Sequence, residues 1–423
     1  MTEPTTLRNR LATASLKTMP PQRSKVVLLM SRSEQEQKAA GYFHTLREIL
    51  QQPATWLQTG KQMLSLSGEL LESIDKVHTV ILTGSGSSEY AGECVRLVLQ
   101  NELSAVAQVI GGGSIVTHGL KAITGRKPRL MISLARSGDS PESARAIAVL
   151  LESDPETRHL VLTCNAKGRL ATTYQHDARV RVVVLARQTN DSSLVMTSSF
   201  TNLALAARSL GMLRTPNEYR KLIGALSVAA QELLRTSVDT IASLAQRDFH
   251  RVVFLGSGSR MGGARESALK MVEMTAGSVV ATCETYLGLR HGPMSAVNPK
   301  TLIVCFLSSD PLIRAYECDL IRELNQKKLG CAKLIFGEDI PLDLAATEDV
   351  LIECKGFAKI GDENASVLDV LVGQLLAFFR CMKEGLHPDS PSSSGVISRV
   401  VQEFALHGSA NGNALEAQPV DLR

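Results

Sequence analysis

The chain repeats itself at a separation of 172 residues. VHTVILTGSGS at 77–87 aligns with FHRVVFLGSGS at 249–259, and the same offset places LMISLARSGD at 130–139 on LIVCFLSSDP at 302–311. It also places VLTCN at 161–165 on KLIFG at 333–337. A repeat of this length is a whole domain rather than a short solenoid unit. The sequence therefore predicts two copies of one domain in tandem.

Each copy alternates apolar, strand-like runs with helical segments. In the first copy, TVILT precedes the helical pattern EYAGECVRLVLQNEL, and RLMISLA precedes SPESARAIAVLLES. Near-continuous apolar strands separated by helices are typical of a parallel sheet covered on both faces. We therefore expect an α/β fold in which each domain is a flavodoxin-like three-layer sandwich.

The expected domain boundaries follow from the repeat and the flanking composition. They are a basic, mobile tail at 1–33, a helical segment at 34–75, the two domains at 76–215 and 216–385, and a C-terminal tail at 386–423 rich in Ser, Pro and Gly.

The positive net charge of +4 belongs to the N-terminal tail. Residues 1–33 hold six basic residues and one acid, whereas the remaining 390 residues hold 40 basic and 41 acidic residues. A body without excess positive charge does not indicate nucleic-acid binding.

The positions of the cysteines and the lengths of the apolar stretches indicate in which cellular compartment the protein is found. The eight cysteines form no CxxC pair, and several lie inside apolar runs, which is typical of reduced thiols in a cytoplasmic protein. No apolar stretch approaches the roughly 20 residues of a membrane span, and no HExxH motif or Cys/His cluster indicates a metal site. We therefore expect neither a membrane segment nor a metal.

Two loops that follow strands in the first copy are rich in Ser and Gly. TGSGSSEYAGE at 83–93 places three hydroxyls at the start of a helix, on Ser85, Ser87 and Ser88. ISLARSGDSPES at 132–143 does the same with Ser137 and Ser140, beside the positive charge of Arg136. Helix N-termini favour anions, and adjacent strand–helix loops of a parallel sheet meet at its carboxyl edge.

Three interpretations of these loops remain open. A dinucleotide-binding fingerprint would require a third glycine where Glu89 stands. Simple turns with helix capping would need no ligand. In the third, Ser88, Ser137 and Ser140 converge on one phosphate. The second copy has SSDP at the second loop, so we expect one such site per chain.

A helix in the second copy carries an unusual charge pattern. Within GSGSRMGGARESALKMVEMTAG at 256–277, Glu266, Lys270 and Glu273 fall within an arc of roughly 60°. Such a stripe is often a solvated helix face, since Glu followed by Lys four residues later stabilises an isolated helix. Further on, Arg290 and His291 precede a Gly-Pro turn that would expose the imidazole.

These motifs together resemble the duplicated SIS (sugar isomerase) domain family, as in the isomerase half of glucosamine-6-phosphate synthase. The similarity is greatest to its AgaS branch, the galactosamine-6-phosphate deaminase/isomerases also called tagatose-6-phosphate ketose/aldose isomerases. The matching segments run from about residue 47 to residue 402 and are REILQQPATW, TGSGSS, ISLARSGDSPES, LTCNAKG, MTSSFTN, LGSGSRMGGARESALKMVEMTAG, GLRHGP and PDSPSSSGVISRVVQ.

The resemblance implies a site for a hexosamine 6-phosphate without metal or other cofactor. It assigns proton transfer between C2 and C1 to Glu273, an active-site lysine to Lys270, and ring opening to His291 reaching over from a partner subunit. It therefore implies a homodimer or homotetramer with a shared active site. The expected phosphate- and substrate-binding residues are Ser85, Ser87, Ser88, Arg136, Ser137, Ser140, Thr197, Ser198, Glu266 and Arg290.

One departure from the family pattern bears on the reaction. The synthases have a C-terminal lysine that forms a Schiff base with the ketose, whereas the corresponding tail at 397–399 is Ile-Ser-Arg. We therefore expect deamination of galactosamine 6-phosphate to tagatose 6-phosphate and ammonia. The alternatives are isomerisation without deamination and a non-catalytic sugar-phosphate sensor. The segment 34–75 is too short and too weakly basic for the DNA-binding domain that such sensors usually carry.

Overall fold

A computed structural model describes residues 24–392, 394–401 and 404–407 of the chain. Two five-stranded sheets form the framework. The first contains β1 (Thr79–Thr83), β2 (Val106–Val109), β3 (Arg129–Ala135), β4 (Arg158–Thr163) and β5 (Val180–Val184). The second contains β6 (Arg251–Leu255), β7 (Val280–Glu284), β8 (Thr301–Phe306), β9 (Ala332–Gly337) and β10 (Val350–Glu353).

Helices cover these sheets and precede them in the chain. The N-terminal helices are α1 (Lys25–Met30), α2 (Glu34–Ala39), α3 (Phe43–Leu50), α4 (Gln52–Ser65) and α5 (Ser67–Ile74). The helices that follow strands of the first sheet are α6 (Ser87–Leu103), α7 (Gly112–His118), α8 (Pro141–Ser153), α9 (Arg169–Tyr174) and α10 (Ser198–Ser209). Next come α11 (Pro216–Thr236), α12 (Val238–Ala245), α13 (Arg260–Met274), α14 (Tyr286–Leu289), α15 (Pro311–Gln326), α16 (Phe357–Ile360) and α17 (Asp362–Lys383).

The two sheets have the same topology, so the predicted α/β fold of two tandem domains is confirmed. The strand order is β2-β1-β3-β4-β5 in the first sheet and β7-β6-β8-β9-β10 in the second, and every pairing is parallel. The central strands β1 and β8 are buried along their whole length, as expected where helices cover both faces.

The third run of the sequence repeat is displaced by two residues. Leu130 pairs with Arg158 in the first sheet, whereas Leu302 pairs with Ala332 in the second. The second copy thus has two more residues between the paired positions of these strands. The 172-residue offset therefore holds for the first two runs but becomes 174 residues at β9.

The two domains share a helical core. The helix α13 packs against α6 of the first domain and against α17. The helix α17 is long and apolar enough to span a membrane, but 94% of its apolar window is buried inside the protein. It is therefore the central packing helix of this core.

The expected mobile tail at 1–33 is corrected for residues 24–33. Here the backbone forms α1, whose first residue, Lys25, donates its N–H to Asp239 of α12 at 2.8 Å. The buried Tyr42 hydroxyl also donates to the carbonyl of Leu29 at 3.1 Å. Both contacts hold α1 against the folded body. The rest of the expected tail, residues 1–23, lies outside the described residues.

Candidate active site

The two Ser/Gly loops of the first domain open into one cavity of about 630 Å³. The loops follow β1 and β3, which are neighbours in the sheet, so both reach its carboxyl edge. The structure brings seven of the expected site residues to this cavity: Ser85, Ser87, Ser88, Arg136, Ser137, Ser140 and Glu273.

The first loop depends on its glycines. A Cβ atom at Gly84 would lie 2.7 Å from the backbone of Ser88, so a side chain there would push the start of α6 away. Gly86 has a φ of +57°, in the left-handed region that glycine adopts without strain. These two positions allow the chain to turn directly from β1 into α6. The turn leaves the hydroxyls of Ser87 and Ser88 at the helix N-terminus beside the cavity.

The second loop leaves a hydroxyl free for a ligand. Ser140 is the N-cap residue of α8, yet its side chain makes no capping hydrogen bond within the described part of the chain. Capping therefore does not account for this serine. One turn further, Ser143 also lines the cavity, although sequence analysis did not select it.

Arg136 is part of the cavity wall but its donors are already engaged. One Nη donates to the carbonyl of Leu194 at 2.8 Å, and the other donates to the carbonyl of Arg399 in the C-terminal segment. Burial, together with the positive charge of Arg399, lowers the pKa of Arg136. The guanidinium thus provides positive charge at the cavity while holding two neighbouring segments.

The charge stripe predicted on α13 is an internal network. Lys270 is fully buried. Its Nζ lies 3.2 Å from Glu266 Oε1 and 3.0 Å from Ser87 Oγ. The same Nζ also forms an ion pair with Glu273. Glu266 is fully buried as well and does not line the cavity. Its expected role as a substrate-binding residue is therefore replaced by a contact with Lys270. Glu273 is the only carboxylate among the described residues of the cavity wall.

The electrostatics of this network keep a positive charge beside the cavity. Burial by itself would lower the pKa of the Lys270 ammonium, but Glu266 and Glu273 outweigh burial and leave that pKa above its usual value. Burial raises the pKa of Glu266 to about 7, against the opposing charge of Lys270. Lys270 is consequently an ammonium at neutral pH and stabilises negative charge next to Glu273.

The corresponding loops of the second domain bind carboxylates of the same chain. Ser257, which aligns with Ser85 at the 172-residue offset, donates its hydroxyl to Glu317 at 2.7 Å. Ser309, which aligns with Ser137, donates its backbone N–H and its hydroxyl to Asp362 at 2.8 and 2.9 Å. Internal carboxylates therefore occupy the donors that remain free for an anion in the first domain.

Thr197 and Ser198 lie outside the cavity wall. Both are fully buried at the start of α10, where the backbone N–H of Thr197 and the hydroxyl of Ser198 donate to the carboxylate of Asp191 at 2.7 and 2.6 Å. Their neighbours Leu194 and Met196 line the cavity instead. The MTSSFT segment thus supports the site from behind, because the hydroxyls of Ser198 and Ser199 are turned towards Asp191.

Arg290 and His291 do not reach the cavity of their own chain. Arg290 forms an ion pair with Glu323 at 2.7 Å, and His291 is exposed in the turn that follows α14. Neither contributes to the cavity wall described above. The part of the chain that the structure describes holds no cluster of three or more potential metal ligands.

Sequence analysis missed the C-terminal contribution to the site. Gly395, Val396, Ile397, Ser398, Arg399, Val401 and Phe404 line the cavity. Their Ser/Gly-rich surroundings predicted only a tail. The one available signal was the match of PDSPSSSGVISRVVQ to the family pattern, which gave no hint of its position.

The chain is similar to known sugar-phosphate enzymes over most of its length, although no protein-family model matches it. The D-galactosamine-6-phosphate deaminase AgaS of Shewanella sp. (strain ANA-3) is 32% identical over 369 residues, which are 86% of this chain and 91% of that protein. The Escherichia coli protein of the same name is 30% identical over 86% of this chain and 95% of its own length. The solved structure of tagatose-6-phosphate ketose/aldose isomerase from Escherichia coli has a TM-score of 0.74 at 27% identity, covering 82% of this chain and 95% of that one.

Proposed function

The chain belongs to the AgaS family of D-galactosamine-6-phosphate deaminases, and we propose that it converts D-galactosamine 6-phosphate and water to D-tagatose 6-phosphate and ammonia. The observation that carries this proposal is the position of Glu273. It is the sole carboxylate among the described cavity residues and lies beside a cluster of hydroxyls suited to a phosphate.

The serine loops bind the 6-phosphate in this proposal. Ser88, Ser137 and Ser140 line the same cavity, in the loops at the N-termini of two helices whose dipoles favour an anion. Arg136 adds a positive charge without needing to release its bonds to the backbone. Anchoring the phosphate fixes the distance from C6 to the reacting carbons and so orients C1 and C2.

Glu273 moves the proton in the proposed reaction. Its carboxylate takes the proton from C2 of the open-chain amino sugar and returns it to C1, through an enolamine in which negative charge develops at the C1 oxygen. The buried ammonium of Lys270 contacts Glu273 and stabilises that developing charge. The C1 oxygen gains a proton as the amine nitrogen loses one, so the product has a hydroxymethyl group at C1 and an imine at C2.

Water completes the reaction at C2. It adds to the imine carbon, and the carbinolamine then expels ammonia to leave the C2 ketone of tagatose 6-phosphate. No step requires an electron acceptor or a Lewis acid, so we propose no cofactor. The tail carries arginine rather than a Schiff-base lysine at 399, which favours hydrolysis over transfer of an amino group to the ketose.

Ring opening requires a further acid–base group besides Glu273, and the described cavity residues of a single chain include no histidine. We assign it to His291, because imidazole titrates near neutral pH and this side chain is exposed on the surface of its own chain. The imidazole then serves the cavity of a neighbouring copy. This assignment makes the active form at least a homodimer with sites shared between subunits.

Ammonia release tests the proposal directly. Purified protein is given D-galactosamine 6-phosphate and, separately, D-glucosamine 6-phosphate, and ammonia and ketose are measured. We expect both products from the galacto sugar. Absence of ammonia from both sugars would refute the deaminase assignment.

Isomerisation without deamination is the second candidate, since the structurally similar Escherichia coli protein is named a ketose/aldose isomerase. It predicts ketose formation from neutral hexose 6-phosphates and no ammonia from amino sugars.

A further inference from the structure

The C-terminal segment 394–401 forms part of the cavity wall, and among the described residues a single residue, Arg399, makes its hydrogen bonds to the body of the protein. Val396, Ile397 and Ser398 are exposed, and all three line the cavity. Arg399 is half-buried, unlike the residues before it. A segment that forms a wall yet lies mostly on the surface needs an anchor to keep its position.

The anchor is the Arg399 guanidinium. Its Nε donates to the carbonyl of Asp191 at 2.8 Å, and one Nη donates to that carbonyl at 2.6 Å and to Asn190 Oδ1 at 2.7 Å. Among the described residues, every hydrogen bond that ties 394–401 to the chain before Ser392 involves Arg399. The last firm attachment before it is Asp389, which accepts from the N–H groups of His44 and Thr45.

The backbone of Arg399 is also hydrogen-bonded to the proposed phosphate-binding loop. Its backbone carbonyl accepts from Arg136, the residue that precedes Ser137. Arg136 in turn donates to the carbonyl of Leu194. The two arginines thus connect the second serine loop, the 190–194 loop and the C-terminal segment in one chain of hydrogen bonds.

The Asn190–Asp191 attachment is itself rigid. The Asp191 carboxylate is buried and accepts from the backbone N–H groups of Thr197 and Ser199 at 2.7 and 2.8 Å, which caps the start of α10. Arg399 therefore binds a fixed point of the domain rather than a free loop. A movement of the segment away from the 190–194 loop must break the Arg399 bonds, because its described neighbours make no other hydrogen bond to the chain before Ser392.

We propose that Arg399 is a positioning residue that holds segment 394–401 in place as a wall of the substrate cavity, and that a phosphate bound beside Ser137 and Arg136 strengthens this hold. The phosphate acts through Arg136. An anion at the serine loop fixes the Arg136 guanidinium, and that guanidinium holds the Arg399 carbonyl. Arg399 is outside the proton-transfer chemistry, so its removal affects substrate binding more than turnover.

Amide hydrogen exchange of peptides covering 394–407 tests the attachment of the segment by Arg399 and does not require substrate turnover. In the wild-type protein, millimolar inorganic phosphate slows exchange in these peptides. Arg399→Ala accelerates their exchange and abolishes the effect of phosphate, while Arg399→Lys, which keeps one donor, gives an intermediate result. Arg187→Ala, an exposed arginine near the same loop, serves as control and behaves as wild type.

Steady-state kinetics provide a second test of Arg399, and this test rests on the proposed deaminase function. Arg399→Ala raises KM for D-galactosamine 6-phosphate roughly tenfold and changes kcat by less than about threefold. Unchanged exchange at 394–407 in Arg399→Ala, or a phosphate effect that persists in it, overturns the proposal. A wild-type protein that releases no ammonia but shows the exchange pattern refutes the deaminase function and leaves the role of Arg399 standing.

Discussion

The Lys270 ammonium lies 3.0 Å from the Ser87 hydroxyl, and this contact joins the two halves of the duplicated chain at the candidate active site. Ser87 begins α6 of the first domain, whereas Lys270 belongs to α13 of the second. The phosphate loop and the proposed catalytic carboxylate Glu273 are thus held in register by one buried side chain. The duplication creates the site because each copy contributes a different half.

Replacing Lys270 lowers the free energy of unfolding, because its carboxylate partner Glu266 is buried. At a pH well above the value of about 7 to which the pKa of Glu266 is raised, Lys270→Met leaves this buried carboxylate without its counter-charge, and breaking a buried pair in this way destabilises proteins by about 3–5 kcal/mol. The measurement is urea unfolding of the purified variant. Adding Glu266→Gln removes the unpaired charge, so the double variant regains part of the loss. A double variant no more stable than Lys270→Met would contradict the pairing.

Substitutions of two serines at equivalent positions in the two domains distinguish a role in phosphate binding from a role in local structure. Ser137→Ala removes a hydrogen bond to the substrate phosphate, which is a loss of about 1.5–3 kcal/mol for a charged acceptor and raises KM roughly tenfold or more. Ser309→Ala is the matched control, because the Ser309 hydroxyl binds Asp362 of its own chain. It leaves KM unchanged. Equal increases in KM for both variants would argue against a single phosphate site in each chain.

The proposed sharing of sites between subunits predicts complementation between two inactive variants. Glu273→Gln lacks the carboxylate proposed to transfer the proton, and His291→Ala lacks the imidazole proposed to serve a neighbouring subunit. Mixing and re-associating the two proteins forms hybrids with one site that has both groups intact. We therefore expect ammonia release from the mixture well above the sum of the separate proteins. Activity that stays at that sum would place His291 and Glu273 of the same chain in one site.

Stability of the second domain depends on pH through Glu317. Burial raises the pKa of this carboxyl from 4.5 to about 7, so the folded chain holds the proton more tightly than the unfolded chain. Stability is consequently lost as the pH rises from 4.5 through about 7, by at most about 3.4 kcal/mol. Glu317→Gln removes this contribution.

Thermal unfolding across the same pH range measures the effect of Glu317. The decline with rising pH becomes shallower in Glu317→Gln than in the wild type, whereas Glu218→Gln, a change at an exposed position of α11, leaves it as it was. A decline in Glu317→Gln that is as steep as in the wild type, or steeper, would show that the pKa of this carboxyl is not raised by folding.

The fold could be predicted because its signals are local and repeated. The apolar runs of β1 and β6, each followed by a Gly-Ser turn into a helix, recur at a constant offset and fix the class of the sheet. The displacement at β9 could not be predicted, since it arises from two extra residues between paired strands and not from any change in apolar pattern.

The site was predictable where residues follow strands directly, as Ser88 and Ser137 do. It was not predictable where long-range packing decides the direction of a side chain. Glu266 faces Lys270 inside the protein, and Thr197 and Ser198 face Asp191, because α10 and α13 are each packed between other helices. The segment around Arg399 reaches the cavity only through the folded tail, for which the sequence has no periodic signal.

Ammonia release by the wild-type protein and by Glu273→Gln tests the central claim, with D-galactosamine 6-phosphate as substrate. The substitution keeps the size of the side chain and removes the base, so general acid–base catalysis worth roughly 10²–10⁴-fold is lost while thermal unfolding shows a folded protein. The account predicts this loss in kcat with ammonia and tagatose 6-phosphate formed in equal amounts by the wild type. A Glu273→Gln protein that releases ammonia at the wild-type rate would contradict it.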